Sequence, residues 1–391
     1  MNLKNNKGLL IVLLVSMVVI IGSIPITYII IKNNVGNYPD TYVMVFNESQ
    51  NLANITVSVF FDISNNSQEL NIDTILTKCN ISSYETIYFI STNEYYLLLT
   101  KKMVEESKLG LNEMGFYLKT SEILYKNVIG MALDITYGTI NIAPTIFSAL
   151  DIPITSNYAN STYSFDEETI EKVVIILLDG FGWRFWANLS QLGIVDFGND
   201  LLFNEKALTA FPPITNVATA TILSGFWPAT TGIMCRNDHQ LKVPSIFDKA
   251  SAQGLSTEYF EGNVGFIDIS ADEEHWILDI NGDGLTDEEI FAVANESIST
   301  DQKDVSFIHF HGIDDIGHEF GPYSLEWLDK VQELNNMTNK LIQQSSENTL
   351  FIITADHGMH KNLNPKVSGR LGIHGNCIYE DMLVPLILKI K

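Results

Sequence analysis

Residues 173–180 read VVIILLDG. Six apolar residues in a row, four of them β-branched, make a run of strand length with no polar face. A strand of that kind is buried on both sides, so it belongs in the middle of a sheet covered by helices. The run stops at Asp179 and Gly180. Working outward, the same shape recurs in STEYF (256–260), VSFIHFHG (305–312), LFIITAD (350–356) and VPLILKI (384–390). Stretches of helix length and composition lie between them, such as NVATATILSG (216–225) and PSIFDKASAQG (244–254). Apolar strands alternating with helices predict an α/β fold with a largely parallel sheet. Ligands of such folds collect at the carboxyl ends of the strands.

Seven residues fall at or near such ends or in short segments of distinct shape: Asp179, Thr215, Asp314, His318, Asp356, His357 and His374. Taken singly, each has an ordinary structural role. Asp179 would cap a helix, Asp356-His357 would be a turn, Thr215 would start a helix as its cap, and His374 would be a loop residue. Together they supply carboxylates, imidazoles and one hydroxyl, the donor set of two zinc-like ions and a nucleophile. The D-x-x-x-H spacing of Asp314 and His318 puts two donors one helical turn apart, which suits a single ion. The neighbours Asp356 and His357 are able to serve one ion each. Two cations would neutralise phosphate oxygens and lower the pKa of the Thr215 hydroxyl. A helix starting at Thr215 would add positive potential. Attack would leave a phospho-threonine that water resolves.

The quoted segments resemble the alkaline phosphatase superfamily, and within it the type I phosphodiesterase/nucleotide pyrophosphatase branch. LLDG, FPPITNVATATILSGFWPATTGI (211–233), DDIGHEFGP (314–322), TADHGM (354–359) and GIHG (372–375) carry the resemblance, over about residues 171–391. It implies an alkaline-phosphatase-like three-layer sandwich with a largely parallel central sheet. It also implies that one ion takes Asp314, His318 and His374, and the other Asp179, Thr215, Asp356 and His357. Zinc is the expected metal, with manganese as the alternative. The expected function is a two-metal phosphodiesterase or nucleotide pyrophosphatase working outside the cell on nucleotides, nucleotide-sugars or lipid head groups. The alternative is a phosphomonoesterase or phospho-head-group transferase of the same superfamily. A surface-anchored binding protein with a dead site is a third reading, and the intact donor set speaks against it. The Thr215 segment lacks a Cys or Ser in a C/S-x-P-x-R setting, which argues against a sulfatase of the formylglycine kind.

The chain departs from the branch twice. Where the branch often has an Asn touching the phosphoryl oxygen, Arg236 stands, followed by Asn237, and both are candidate substrate-binding residues. The segment that often follows the last histidine occurs early instead, as TINIAPTIFSALDIPI (139–154), which suggests a rearranged order in which 139–154 belongs to the catalytic fold.

Other features set the address and the partners. Gly8–Ile31 carries no charge. About 24 residues at about 1.5 Å each reach about 36 Å, enough to cross a membrane core of about 30 Å. Lys4 and Lys7 precede it and predict a cytoplasmic N-terminus with the body outside. The expected organisation is a short cytoplasmic N-terminus (1–8), a transmembrane signal-anchor (9–31) with a cleaved signal peptide as the alternative, an N-terminal α/β region (32–168) and a catalytic domain (169–391), joined through the polar stretch SNYANSTYSFDEET (156–169). A net charge of −24 makes nucleic acid an unfavourable partner. Eight N-x-S/T sequons, beginning at Asn47, Asn54, Asn65, Asn80, Asn160, Asn188, Asn295 and Asn336, suit a glycoprotein. Cys79, Cys235 and Cys377 form no metal motif and allow one disulfide with a thiol left over. In the N-terminal region, NITVSVFFDI (54–63) and ETIYFISTNEYYLLLT (85–100) read as strands, and KKMVEESKLGLNEMGFYL (101–118) as a helix. In DINGDGLTDEEI (279–290), Asp279, Asn281, Asp283 and Asp287 have calcium-loop spacing, although Ile290 stands where the bidentate Glu belongs. His239, His309, His311 and His360 lie near the motifs, as candidates for substrate contact or for a supporting role around the ligands.

Overall fold

The computed structural model describes residues 42–391 apart from 48–49, 57–58, 61–62, 64–67, 93–96, 113–114, 122–123, 166–168 and 263–264. The expected membrane anchor and cytoplasmic N-terminus lie outside the described residues. Among the described residues, no helix is long and apolar enough to cross a membrane.

Among the described residues, nine strands build the first part of the chain: β1 (Tyr42–Phe46), β2 (Asn51–Thr56), β3 (Glu69–Asn71), β4 (Thr86–Ser91), β5 (Leu97–Thr100), β6 (Lys108–Asn112), β7 (Gly115–Lys119), β8 (Leu124–Lys126) and β9 (Val128–Leu133). They form a five-stranded sheet in the order β2-β1-β9-β4-β5 and a four-stranded sheet in the order β3-β6-β7-β8. The 101–118 stretch was expected as one helix, but helix covers only Lys101–Glu105. The rest is the hairpin β6-β7, in which Leu109, Leu111, Phe116 and Leu118 are buried. Alternating apolar residues there bury one face of a strand, and that gain outweighs helix propensity. The expected strand at 54–63 ends at Thr56, and Val59, Phe60 and Ile63 are helical.

Ten strands follow among the described residues: β10 (Tyr137–Gly138), β11 (Lys172–Leu178), β12 (Phe203–Leu208), β13 (Thr257–Glu261), β14 (Glu273–Trp276), β15 (Val305–Phe310), β16 (Thr349–Thr354), β17 (His360–Lys361), β18 (Gly372–Ile373) and β19 (Leu383–Ile390). Eight of them form one sheet in the order β10-β12-β19-β16-β11-β15-β13-β14. The opening run is β11, in the interior of the sheet between two parallel neighbours, with Val173–Leu178 buried. Its register sets the site: Leu178 pairs with Phe310 and Leu177 with Thr354. Asp179, His311 and Asp356 therefore leave the sheet at nearly one level.

The sheet is largely parallel, as expected, and is mixed by a single strand. β19 runs antiparallel to both β16 and β12. The chain between β16 and β19 holds only the β17-β18 pair and the short helices Pro365–Ser368 and Tyr379–Met382. Without a crossover helix it stays at the carboxyl edge and re-enters the sheet from there, so it must run the other way.

The five-stranded sheet has two apolar faces. Phe46, Tyr88, Ile90 and Ala132 join the core of the eight-stranded sheet, while Val45, Phe89 and Met131 face a second core. Residues 139–154 follow β10, the edge strand of the eight-stranded sheet. Tyr137 and Gly138 pair with Ala207 and Leu208 of β12. The helix Ile142–Ala149 buries Ile142, Ala143, Ile146 and Phe147 in the main core.

Candidate metal centre and active site

The helix Thr215–Ser224 is buried on every side, as its small residues and apolar tail allow. Ile214 takes the cap position, and no side chain caps the helix. Thr215 is therefore the first helical residue rather than the expected cap. Its hydroxyl points into the site, 3.5 Å from Nε2 of His357. Around that nitrogen stand Asp179 Oδ1 at 3.4 Å and Asp356 Oδ2 at 3.2 Å. The other Asp356 oxygen accepts from the amides of Gly180, at 3.1 Å, and His357, at 2.8 Å, which aims Oδ2 inward.

A second group lies alongside. His318 Nε2 is 3.1 Å from Asp314 Oδ2, and His374 Nε2 is 3.8 Å from Asp314 Oδ1. Asp314 and His318 share the helix Gly312–Phe320, one turn apart. The rings of His357 and His374 stack at 3.7 Å, joining the two groups. The seven residues singled out in the sequence are thus brought together.

The three histidines are held in one way. His318 Nδ1 bonds the Gly372 carbonyl at 2.8 Å, His357 Nδ1 that of Gly358 at 3.0 Å, and His374 Nδ1 that of Pro213 at 2.9 Å. Each Nδ1 therefore carries the proton, and each Nε2 presents a lone pair to the site. Burial, with His357 beside it, pushes His374 down to about 4, so its lone pair is free at neutral pH. Burial, with Asp179 and Asp314 nearby, pushes the Asp356 carboxyl well above the usual carboxylate range. Despite its own burial, Asp179 is held well below that range, chiefly by His309 and His311.

Whether these residues suit metal ions is testable on their free atoms. Asp179 Oδ1, Asp314 Oδ1 and Asp356 Oδ2 are buried without a hydrogen-bond partner. Leaving such oxygens bare is costly unless a cation meets them. A four-coordinate ion with bonds of about 2.0–2.1 Å spaces its ligands about 3.3–3.4 Å apart, close to the separations around His357. Asp314, His318 and His374 form one such grouping, and Asp179, Asp314 and His357 another. Asp314 stands between the two.

The remaining expectations fare differently. Arg236 and Asn237 sit exposed on the 235–238 turn. Asn216 ties that turn to the head of the Thr215 helix by donating to the carbonyls of Cys235 and Asp238, at 2.6 and 2.8 Å. The calcium reading of Asp279, Asn281, Asp283 and Asp287 is corrected at Asp287. That carboxylate is buried away from the loop, accepting from His311 and Gly312 amides at 2.9 and 3.2 Å and facing Lys330. Asp279, Asn281 and Asp283 accept from amides of their own turn. The three cysteines are unpaired. His239 bonds the Phe266 carbonyl at 2.9 Å, and His360 bonds Asp381 Oδ1 at 2.7 Å.

Two residues near the centre were not singled out in the sequence. Glu261 is the last residue of the buried strand β13, much as Asp179 directly follows β11, and that position is the available signal. Arg370, whose Nη1 lies 2.9 Å from His318 Nε2, reaches the centre from an exposed loop that gives no such sign.

Residues 173–367 match the model of the family described as Type I phosphodiesterase / nucleotide pyrophosphatase. By that segment, the chain belongs to this family. Among curated proteins, it is similar to GPI ethanolamine phosphate transferase 2 of Debaryomyces hansenii, with 30% identity over 222 residues, and of Candida glabrata, with 37% over 198. Those matches take in 50% and 47% of this chain but only 24% and 22% of the relatives. Among solved structures, murine ectonucleotide pyrophosphatase / phosphodiesterase 5 aligns at 14% identity and a TM-score of 0.43, over 56% of this chain and 87% of that one.

Proposed function

We propose that this chain is a two-metal enzyme that cleaves a phosphodiester and takes the phosphoryl group onto Thr215. The observation that carries the reading is the buried Thr215 hydroxyl at a helix start, 3.5 Å from His357 Nε2 and among the unpartnered oxygens of Asp179 and Asp356. Asp179, Asp356 and His357 would hold one divalent ion beside Thr215, and Asp314, His318 and His374 the other. Bound there, such ions neutralise phosphoryl oxygens and favour the ionised hydroxyl. Thr215 Oγ1 then attacks phosphorus, the bond to the leaving alkoxide breaks, and a phospho-threonine remains. The amides opening the helix face the developing charge. Arg370, beside His318, and Arg236, on the turn held by Asn216, would receive the rest of an anionic substrate.

The acceptor that resolves the intermediate is water or a hydroxyl of a second substrate. The names of the curated relatives favour the second, with a phosphoethanolamine-type head group as the unit moved. Two assays separate the readings. The metal-loaded chain is given nitrophenyl monoester and nitrophenyl diester, and then an ethanolamine phospholipid with and without an alcohol acceptor. Diester turnover above monoester turnover, with head-group transfer rising with acceptor, is the expected result. Monoester preference would remove the diesterase reading, and release to water unaffected by any acceptor would remove the transferase reading.

A further inference from the structure

Residues 361–371 read KNLNPKVSGRL and link β17 to β18. This loop is turned inside out. Val367 is 90% exposed and Leu363 87%, the highest values of any large apolar side chain among the described residues. The polar Asn362 is buried instead. Its Nδ2 donates to Ser368 Oγ and to the Arg370 carbonyl, both at 2.7 Å, and its Oδ1 accepts from the Asn364 amide at 2.9 Å. Its own amide donates to the Leu371 carbonyl at 2.8 Å. The one helical turn of the loop, Pro365–Ser368, buries no residue. A hydrogen-bonded frame thus holds Leu363 and Val367 out in water. Leaving two aliphatic side chains there forgoes the gain of burying them, which a surface that covers them would restore.

Charge says what kind of surface. The chain carries a net charge of −24, yet this loop holds Lys361, Lys366 and Arg370 and no acid. All three cations are exposed. Aliphatic tips set among cations fit a phospholipid surface, where the tips enter the boundary of the acyl chains and the cations meet anionic head groups. The loop is also tied to the metal centre. The Leu371 amide donates to the His318 carbonyl at 2.7 Å, and Arg370 Nη1 lies 2.9 Å from His318 Nε2.

We propose that residues 361–371 dock on an anionic phospholipid surface through Leu363 and Val367, and so bring lipid head groups to the His318 side of the centre. The docking rests on the loop alone. Only the use of the docked lipid as substrate rests on the proposed head-group reaction.

The test places a polarity-sensitive dye on the full chain through Val367→Cys, with Cys79→Ser and Cys235→Ser removing the accessible thiols and Cys377 buried. A second chain carries the dye through Leu192→Cys, an exposed apolar position just after the helix Trp183–Gln191. Both are reconstituted in vesicles of phosphatidylcholine with phosphatidylserine, some of the lipid bearing a nitroxide on its acyl chain. The apolar segment 8–31 is common to both chains, so attachment through it affects them alike. The expected result is a blue shift and loss of emission at 367 but not at 192, weakening as salt is raised. Equal quenching at the two positions, none at 367, or the same quenching at 367 in phosphatidylcholine alone would each overturn the docking. A blue shift at 367 before lipid is added, with a doubled mass in solution, would put a second copy of the chain on this face and overturn it too. Turnover of a soluble nitrophenyl diester is measured on the same chains. Turnover without quenching at 367 removes the docking and leaves the proposed reaction standing. Quenching without head-group transfer keeps the docking and removes the lipid as substrate. Should the Val367→Cys chain fail to fold, Leu363→Cys carries the dye in its place.

Discussion

His318, His357 and His374 each give the Nδ1 proton to a main-chain carbonyl, so the backbone chooses the tautomer that leaves Nε2 free. On this account His318→Ala removes one ion of the pair while Thr215, Asp179, Asp356 and His357 keep the other. Elemental analysis should show one ion fewer, and turnover should fall more than about 100-fold, beyond the usual cost of losing an outer-shell partner. A variant with full metal content and near-normal turnover would remove His318 from the set. At this scale the sequence named the residues that meet, because carboxylates and imidazoles at strand ends stand out against apolar runs. It did not name the partners that orient them. The carbonyls of Gly372, Gly358 and Pro213 belong to every sequence alike, and only the tertiary path makes them neighbours. Asp287 shows the opposite error. Its spacing fits a loop ligand, yet the chain turns it inward onto the His311 and Gly312 amides.

Strand ends and tight turns hold these residues in register. Gly358 follows His357 directly, and a Cβ added there would lie 1.9 Å from the Glu380 carbonyl oxygen and 3.0 Å from Gly182 Cα. Both contacts are backbone, so neither moves aside as the end of a side chain would. Gly358→Ala should therefore cost about 1–3 kcal/mol in denaturant unfolding and should also displace His357, lowering metal affinity. Unchanged stability together with unchanged metal binding would show that the turn has more room than its geometry indicates. The central strands were legible because apolar runs of six or seven residues are hard to read otherwise. The direction of β19 was not, since VPLILKI is equally apolar whichever way it runs. The helix expected at 101–118 failed for a related reason. Over so short a stretch, helical and alternating patterns overlap, and packing of the β6-β7 hairpin decided between them.

In the whole molecule, the N-terminal sheet shares its core with the site-bearing sheet. Phe46, Tyr88, Ile90 and Ala132 pack into the same core as Ile142, Phe147 and β11. Removing residues 33–168 would strip that cover from the main core, and the remainder should be insoluble. A soluble, active fragment beginning after 168 would show instead that the early part is a separate module, and that 139–154 is dispensable to the catalytic fold. That early segment was noticed in the sequence by its shape, whereas the cover given by β1, β4 and β9 had no signal beyond ordinary alternation. On the proposed mechanism the whole assembly serves one hydroxyl, Thr215. Its most direct test is turnover of a nitrophenyl phosphodiester by metal-loaded Thr215→Ala and Thr215→Ser, with metal content measured on the same samples. The Ala variant is expected to keep its ions and lose turnover by about 10³-fold or more, while the Ser variant retains part of it. An Ala variant with unchanged metal content and unchanged turnover would contradict the account.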